Sequence, residues 1–229
     1  MKVLVIAPHA DDEILGVGGT ISRLINEGAD VYVAVITSFH EGLREYGSTG
    51  LARREAIGAH EFLGVKETIL VRDIPAVKVD VTPHMQVNKA IRDLVVKTNP
   101  DVMFIPFAGD IHKDHRLIFE SCMVAVRPNS DIFPARVYAY ETLSETNWNA
   151  PYLSPPFTPN LFIDITDHLE RKIQAFEKFN SQVRTFPHER SSEAIKILAK
   201  YRGATAGLQA AEAFVLIRGI SKQNEELHI

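Results

Sequence analysis

Lys2-Val3-Leu4-Val5-Ile6-Ala7-Pro8-His9-Ala10-Asp11-Asp12-Glu13 is the stretch that decides the fold. After Lys2 it is apolar and rich in β-branched side chains, with none of the alternation of a half-exposed strand. Residues 2–7 therefore read as a strand buried on both faces, the kind found in a parallel sheet. Pro8 ends it. Beyond the polar turn, Ile14, Val17, Ile21, Leu24 and Ile25 recur at helical spacing, and Gly28 supplies a stop. This is a βα unit whose polar residues fall in the turn between its halves.

The alternation continues down the chain. Strands are predicted at 31–36, 68–71 and 102–107, with helices at 51–63, 85–97 and 117–126, the last stopping before Pro128. A further strand is expected at 136–140 and a loop at 149–160, where four prolines fall. Beyond it come a strand at 161–165, helices at 167–180 and 191–201, and a last strand at 213–217. This order predicts an α/β fold, a mostly parallel sheet sandwiched between helices. With 229 residues and 45% hydrophobic content, one domain spanning 1–229 is the expectation.

A formal charge of −4, with no run of Lys and Arg, gives no footprint for nucleic acid. The one cysteine, Cys122, lies in an apolar stretch and reads as a buried structural thiol. Val3 to Ala7 is too short an apolar run for a secretory leader or a membrane span, so a cytoplasmic protein with no transmembrane segment is expected.

Open parallel sheets bind ligands beyond the carboxyl ends of their strands. Two polar clusters fall there: His9 to Glu13 after the first strand, and His112-Lys113-Asp114-His115 after the strand at 102–107. A catalytic zinc site takes three protein ligands and leaves one position to water, and these clusters offer the donors. His9 and Asp12 are three apart, as are His112 and His115, so a helical turn starting near Asp11 brings each pair to one side. Asp12 can then bind metal while Asp11 stays free as a base. Zinc lowers the pKa of bound water to about 7, and a neighbouring carboxylate can accept its proton as an amide carbonyl is attacked. A protonated His112 can stabilise the oxyanion, and Asp114 can hold a histidine in the right tautomer.

Gly16, Gly18 and Gly19 follow the polar turn, inside the expected helix, where small residues let a helix pack close to a sheet. A dinucleotide-binding loop would place them earlier. His40, His60, His84, His168, His188 and His228 have no comparable company and read as surface or locally hydrogen-bonded residues. Tyr138, Tyr140, Trp148 and Arg202 could border a pocket, with core as the plainer reading of the aromatic ones.

The two clusters, with Gly16-Val17-Gly18-Gly19-Thr20 after the first, resemble the PIG-L or LmbE-like N-acetylglucosaminyl deacetylase superfamily. Arg53-Arg54-Glu55-Ala56, Arg202-Gly203 and Ala211-Glu212-Ala213-Phe214 add to the likeness. The resemblance implies a Rossmann-like fold and one Zn2+ held by His9, Asp12 and His115. It makes Asp11 the general base, His112 the oxyanion stabiliser and amine acid, and Asp114 the residue that orients His112. It also implies a substrate-binding Arg53, one position later than the family's arginine, whose place before Glu55 is taken by Ala52. Homo-oligomers, trimers or hexamers, acting on small N-acetylated amino sugars are the expectation. The rivals are hydrolysis of a different amide and a non-catalytic Rossmann-like nucleotide-binding module.

Overall fold

A computed structural model describes residues 1–46 and 50–221. Among them, seven strands form one sheet: β1 (Lys2–Ala7), β2 (Asp30–Val35), β3 (Glu67–Leu70), β4 (Val102–Pro106), β5 (Arg136–Tyr140), β6 (Leu161–Asp164) and β7 (Ala211–Gly219). Their order is β3-β2-β1-β4-β5-β7-β6. All neighbours pair in parallel except β7, which runs antiparallel to both β5 and β6.

Why β1 is central follows from its side chains. Val3, Val5 and Ala7 enter the core on one face and Leu4 and Ile6 the core on the other, and none of the five is exposed. The first face is covered by α1 (Asp12–Asn26) and α2 (Leu51–Leu63), later joined by α5 (Leu169–Phe176) and α6 (Ser192–Thr205). The second is covered by α3 (His84–Thr98) and α4 (Lys113–Ala125), with Cys122 buried there as a free thiol. None of these helices is long and apolar enough to cross a membrane.

The glycines of α1 set how closely it packs. A Cβ on Gly16 would lie 2.2 Å from a ring carbon of Tyr140, and one on Gly19 2.7 Å from Ile165. Between them, a buried ion pair enters the helix. Glu212 of β7 accepts the backbone N–H groups of Gly19 and Thr20 at 2.9 and 2.7 Å. Lys172 of α5 donates to the Leu15 carbonyl at 2.7 Å and to Glu212 at 2.6 Å.

Element types agree with the sequence reading, and the differences lie at the ends. α1 starts at Asp12 rather than at Ile14, and α4 at Lys113 rather than at Leu117. Polar first turns carry no apolar period, so periodicity placed both starts late. The segment expected as a helix at 167–180 is regular only over Leu169–Phe176, behind a 3-10 turn at Thr166–His168, whereas β7 and α6 run longer than expected. The proline-bearing stretch 149–160 holds no helix or strand.

Candidate active site

Strand order reverses at β1 and β4, and the loops that leave them meet in the crevice between. From β1 the chain turns through His9 to Asp11, the N-cap of α1, whose φ is 113°. A non-glycine residue holds such a conformation only when its surroundings impose it, at a cost of about 1–3 kcal/mol. Here the Asp11 carbonyl accepts the N–H groups of Ile14 and Leu15, and its own N–H donates to Glu13 Oε2 at 3.2 Å. Glu13, fully buried, is held by His60 Nε2 at 2.8 Å, and His60 Nδ1 lies 2.9 Å from Thr68 Oγ1. The Asp11 carboxylate meets Arg190 Nη1 at 2.8 Å. Two neighbouring carboxylates, Asp11 and Asp12, are thereby aimed differently.

Asp12 is aimed at the histidines. His9 Nδ1 lies 3.2 Å from His115 Nε2, and Asp12 Oδ2 stands 3.4 Å from the first and 3.1 Å from the second. Ligands about 2.0–2.1 Å from a tetrahedral zinc stand about 3.3–3.4 Å from one another, so these atoms are spaced as one face of such a site. The outer nitrogens carry carboxylates: His9 Nε2 is 3.1 Å from Asp114 Oδ2, and His115 Nδ1 is 2.8 Å from Asp110 Oδ2. Asp110 is itself fixed by the Thr146 hydroxyl at 2.6 Å. This carboxylate–histidine pattern points one defined nitrogen of each ring inward. Asp12 Oδ1 is buried without a donor among the described residues. An orphaned carboxylate oxygen beside two facing imidazole nitrogens is a cost that a shared cation removes, so the donor set fits a metal ion.

The electrostatics agree. Burial opposes charge on His9, yet the hydrogen bonds to Asp114 and Asp12 outweigh it and push the ring up to about 9. Burial also works against the Asp12 carboxylate, but His115 and His9 hold it well below the usual range. Asp11 behaves differently: burial raises it, Arg190 pulls the other way, and with Asp12 and Glu13 adding it stands at about 7. His112 is lowered to about 4 by burial and then by His9 and His115.

Three sequence expectations differ from the geometry. His112 is the N-cap of α4, and its Nδ1 accepts the backbone N–H of Asp114 at 3.1 Å, so the ring is neutral at rest with its proton on Nε2. The Asp114 carboxylate does not reach it; this group holds His9 and accepts the Val77 N–H at 2.7 Å. His9 and Asp12 also meet through the turn that precedes α1, where the His9 N–H donates to Asp12 Oδ2 at 2.8 Å, not through a helical turn.

A cavity of about 280 Å³ opens onto this constellation. His9, Asp11 and His112 line it, Arg53 and Val77 stand to the side, and Glu145, Gln182 and Arg190 complete the wall. Tyr138, Tyr140, Trp148 and Arg202 do not line it. Tyr140 is buried with its hydroxyl on the Ile6 carbonyl, and Arg202 pairs with Glu141. Asp110 and Arg190 escaped the sequence reading. Asp110 lies five residues before His115 and was open to notice as a second carboxylate in that turn; Arg190, 179 residues from Asp11, left no signal. His60, read as surface or locally bonded, is buried and bonded, and His228 lies outside the described residues.

The family model described as "PIG-L: GlcNAc-PI de-N-acetylase" matches residues 4–126, just over half of the chain and both clusters. The chain belongs to the PIG-L family. It is 30% identical over 236 residues to a diacetylchitobiose deacetylase of Thermococcus kodakarensis, covering 96% of this chain and 84% of that protein. The solved N,N'-diacetylchitobiose deacetylase of Pyrococcus horikoshii superposes with a TM-score of 0.71 at 25% identity, covering 99% of this chain and 87% of that one. The conserved protein TT1542 of Thermus thermophilus shares the fold with a TM-score of 0.74 at 24% identity, over 97% of each chain. Family and relatives together make this PIG-L chain a hydrolytic N-deacetylase.

Proposed function

We propose that this chain removes the acetyl group from an N-acetylglucosamine-type amino sugar or its conjugate, using one zinc ion per chain held by His9, Asp12 and His115. The observation that carries the reading is the triangle of 3.1–3.4 Å separations between their donor atoms, at a cavity that also presents Asp11 and His112. Relatives named for diacetylchitobiose support the substrate class.

A zinc ion held there supplies a Lewis acid and makes water nucleophilic near neutral pH. The protein's own groups do the rest. Asp11, with a pKa near 7, takes one proton of the attacking water and returns it to the nitrogen as the C–N bond breaks, so a neutral amine and acetic acid form, and the acid's remaining proton, the second of the water, passes to the amine or to solvent as acetate leaves. His112 donates its Nε2–H to the oxygen that gains charge. Asp114 and Asp110 keep the two ligand rings in register. Arg53 contacts the substrate from the cavity wall. The exposed side chains of Tyr152 and Leu153 support a homo-oligomer.

Protein loaded with zinc is expected to hold close to one ion per chain and to release acetate from free, nucleotide-linked or lipid-linked N-acetylhexosamines. His9→Ala should lose both properties. Acetate release that survives complete metal removal overturns the mechanism; silence across every N-acetylhexosamine overturns the substrate class.

A further inference from the structure

We propose that Arg53, backed by Arg72, forms an oxyanion subsite in the cavity, so that the amino sugar taken there carries a phosphate or carboxylate besides its N-acyl group. This rests on the cavity being the substrate site.

Arg53 stands in the first turn of α2 and lines the cavity. Its Nε and Nη2 are both buried and have no acceptor among the described residues. These two nitrogens form the forked edge of a guanidinium, which matches the paired oxygens of a carboxylate or phosphate. Among the described residues, none offers this edge an anion. Glu55, two residues along α2, is turned to Ser181, whose N–H it accepts at 3.0 Å. Asp11 is engaged by Arg190, which also donates to Gln182 at 2.8 Å and to Ser144 at 3.1 Å. Among the described residues no carboxylate pairs with Arg53 or Arg72, and Glu145, the other acid of the cavity wall, pairs with neither.

The charge that Arg53 does feel is of its own sign. Burial first, and Arg72 second, pull its guanidinium below the usual range. Arg72 belongs to the stretch after β3 that Ser38 ties to the cavity wall, its hydroxyl donating to the Arg72 carbonyl at 2.7 Å. A half-buried cation whose inward nitrogens lack a counter-ion is held at a cost, and a second cation near it adds to that cost. Sugar hydroxyls can satisfy the N–H donors but leave the charge unbalanced; an oxyanion does both, through hydrogen bonds about twice as strong as neutral ones. On a chain of net charge −4, an Arg53 guanidinium on the cavity wall with no acidic partner among the described residues and a second guanidinium near it is a local device and not part of a basic surface.

Products avoid turnover, so glucosamine, glucosamine 6-phosphate, glucosamine 1-phosphate and muramic acid serve as probes, titrated calorimetrically into the zinc-loaded chain. At least one anionic probe should bind about tenfold or more tighter than glucosamine at low salt. The advantage should shrink as salt screens the exposed Arg72. Arg53→Gln should reduce the ratio of anionic-probe to glucosamine affinity to under about threefold, and Arg53→Lys, which keeps the charge but not the fork, should fall between. The comparison of phosphate with carboxylate probes tells which group the fork takes. Equal affinity for all four probes, or an advantage that survives Arg53→Gln, overturns the proposal. Should Arg53→Gln not fold, the salt series on the unmodified chain and Arg53→Lys decide the matter. Anion preference without acetate release would sink the deacetylase reading alone, and acetate release without anion preference would sink this one alone.

Discussion

Asp11 and Asp12 are chemically identical neighbours with opposite environments. Asp12 faces two imidazoles and is held ionised, whereas Asp11, turned away by its φ of 113°, is raised toward neutrality by burial. In the proposed mechanism one serves as a ligand and the other as a proton carrier, a separation of roles that backbone geometry would make. Asp11→Asn tests it. Asn tolerates a positive φ and keeps the size of the side chain, so the fold should persist. Zinc content should stay near one per chain while kcat falls about 10²–10⁴-fold, the usual contribution of a general base. Metal analysis beside steady-state kinetics checks this, and unchanged kcat would remove Asp11 from the mechanism. At this scale His9, Asp11, Asp12, His112 and His115 were legible because they fall in two short clusters of metal-binding residue types. Which atom each presents was not legible. The Asp114 carboxylate turns to His9 and the Val77 N–H, while its backbone N–H goes to His112 Nδ1.

Among the elements, α1 carries the most constraint. It presents Asp11 and Asp12 at its start, and behind them part of its backbone bonding is handed to Lys172 and Glu212, both about 96–97% buried. The segment around Glu212 was noticed in the sequence only as a resemblance; the structure gives it a physical task. Removing Glu212 strands a buried ammonium and two helix N–H groups. Glu212→Ala should therefore cost about 3–5 kcal/mol, read as a lower urea midpoint at unchanged m value. A loss below about 1 kcal/mol would mean that water or repacking replaces the carboxylate easily. Such pairs stay invisible to periodicity, since Lys172 and Glu212 are 40 residues apart and meet only when β7 inserts antiparallel between β5 and β6. The central strands, by contrast, were read directly: an apolar run buried on both faces has few other places to go.

For the molecule as a whole, the sheet order β3-β2-β1-β4-β5 determines why the ligands meet. His9 and Asp12 follow β1, His115 follows β4, and about a hundred residues of chain separate them, yet the strands are adjacent neighbours at the point where the order reverses. A metal ion held by both loops, as proposed, would join the two halves of the sheet, and the unfolded chain offers no such arrangement. Binding free energy is then also folding free energy. At zinc about 100-fold above its Kd the gain is about 2.7 kcal/mol. For a chain of this length, each kcal/mol moves Tm by about 2–4 °C, so chelation should lower Tm by roughly 5–10 °C. His115→Ala should start near the lower value and respond to neither zinc nor chelator. The shift should also fade as pH drops, because imidazole and carboxylate ligands bind metal only when deprotonated. Thermal scans of the wild type and His115→Ala with zinc and with chelator make the comparison. A Tm indifferent to zinc in the wild type would mean that the two loops do not share an ion, whatever the spacing of their side chains.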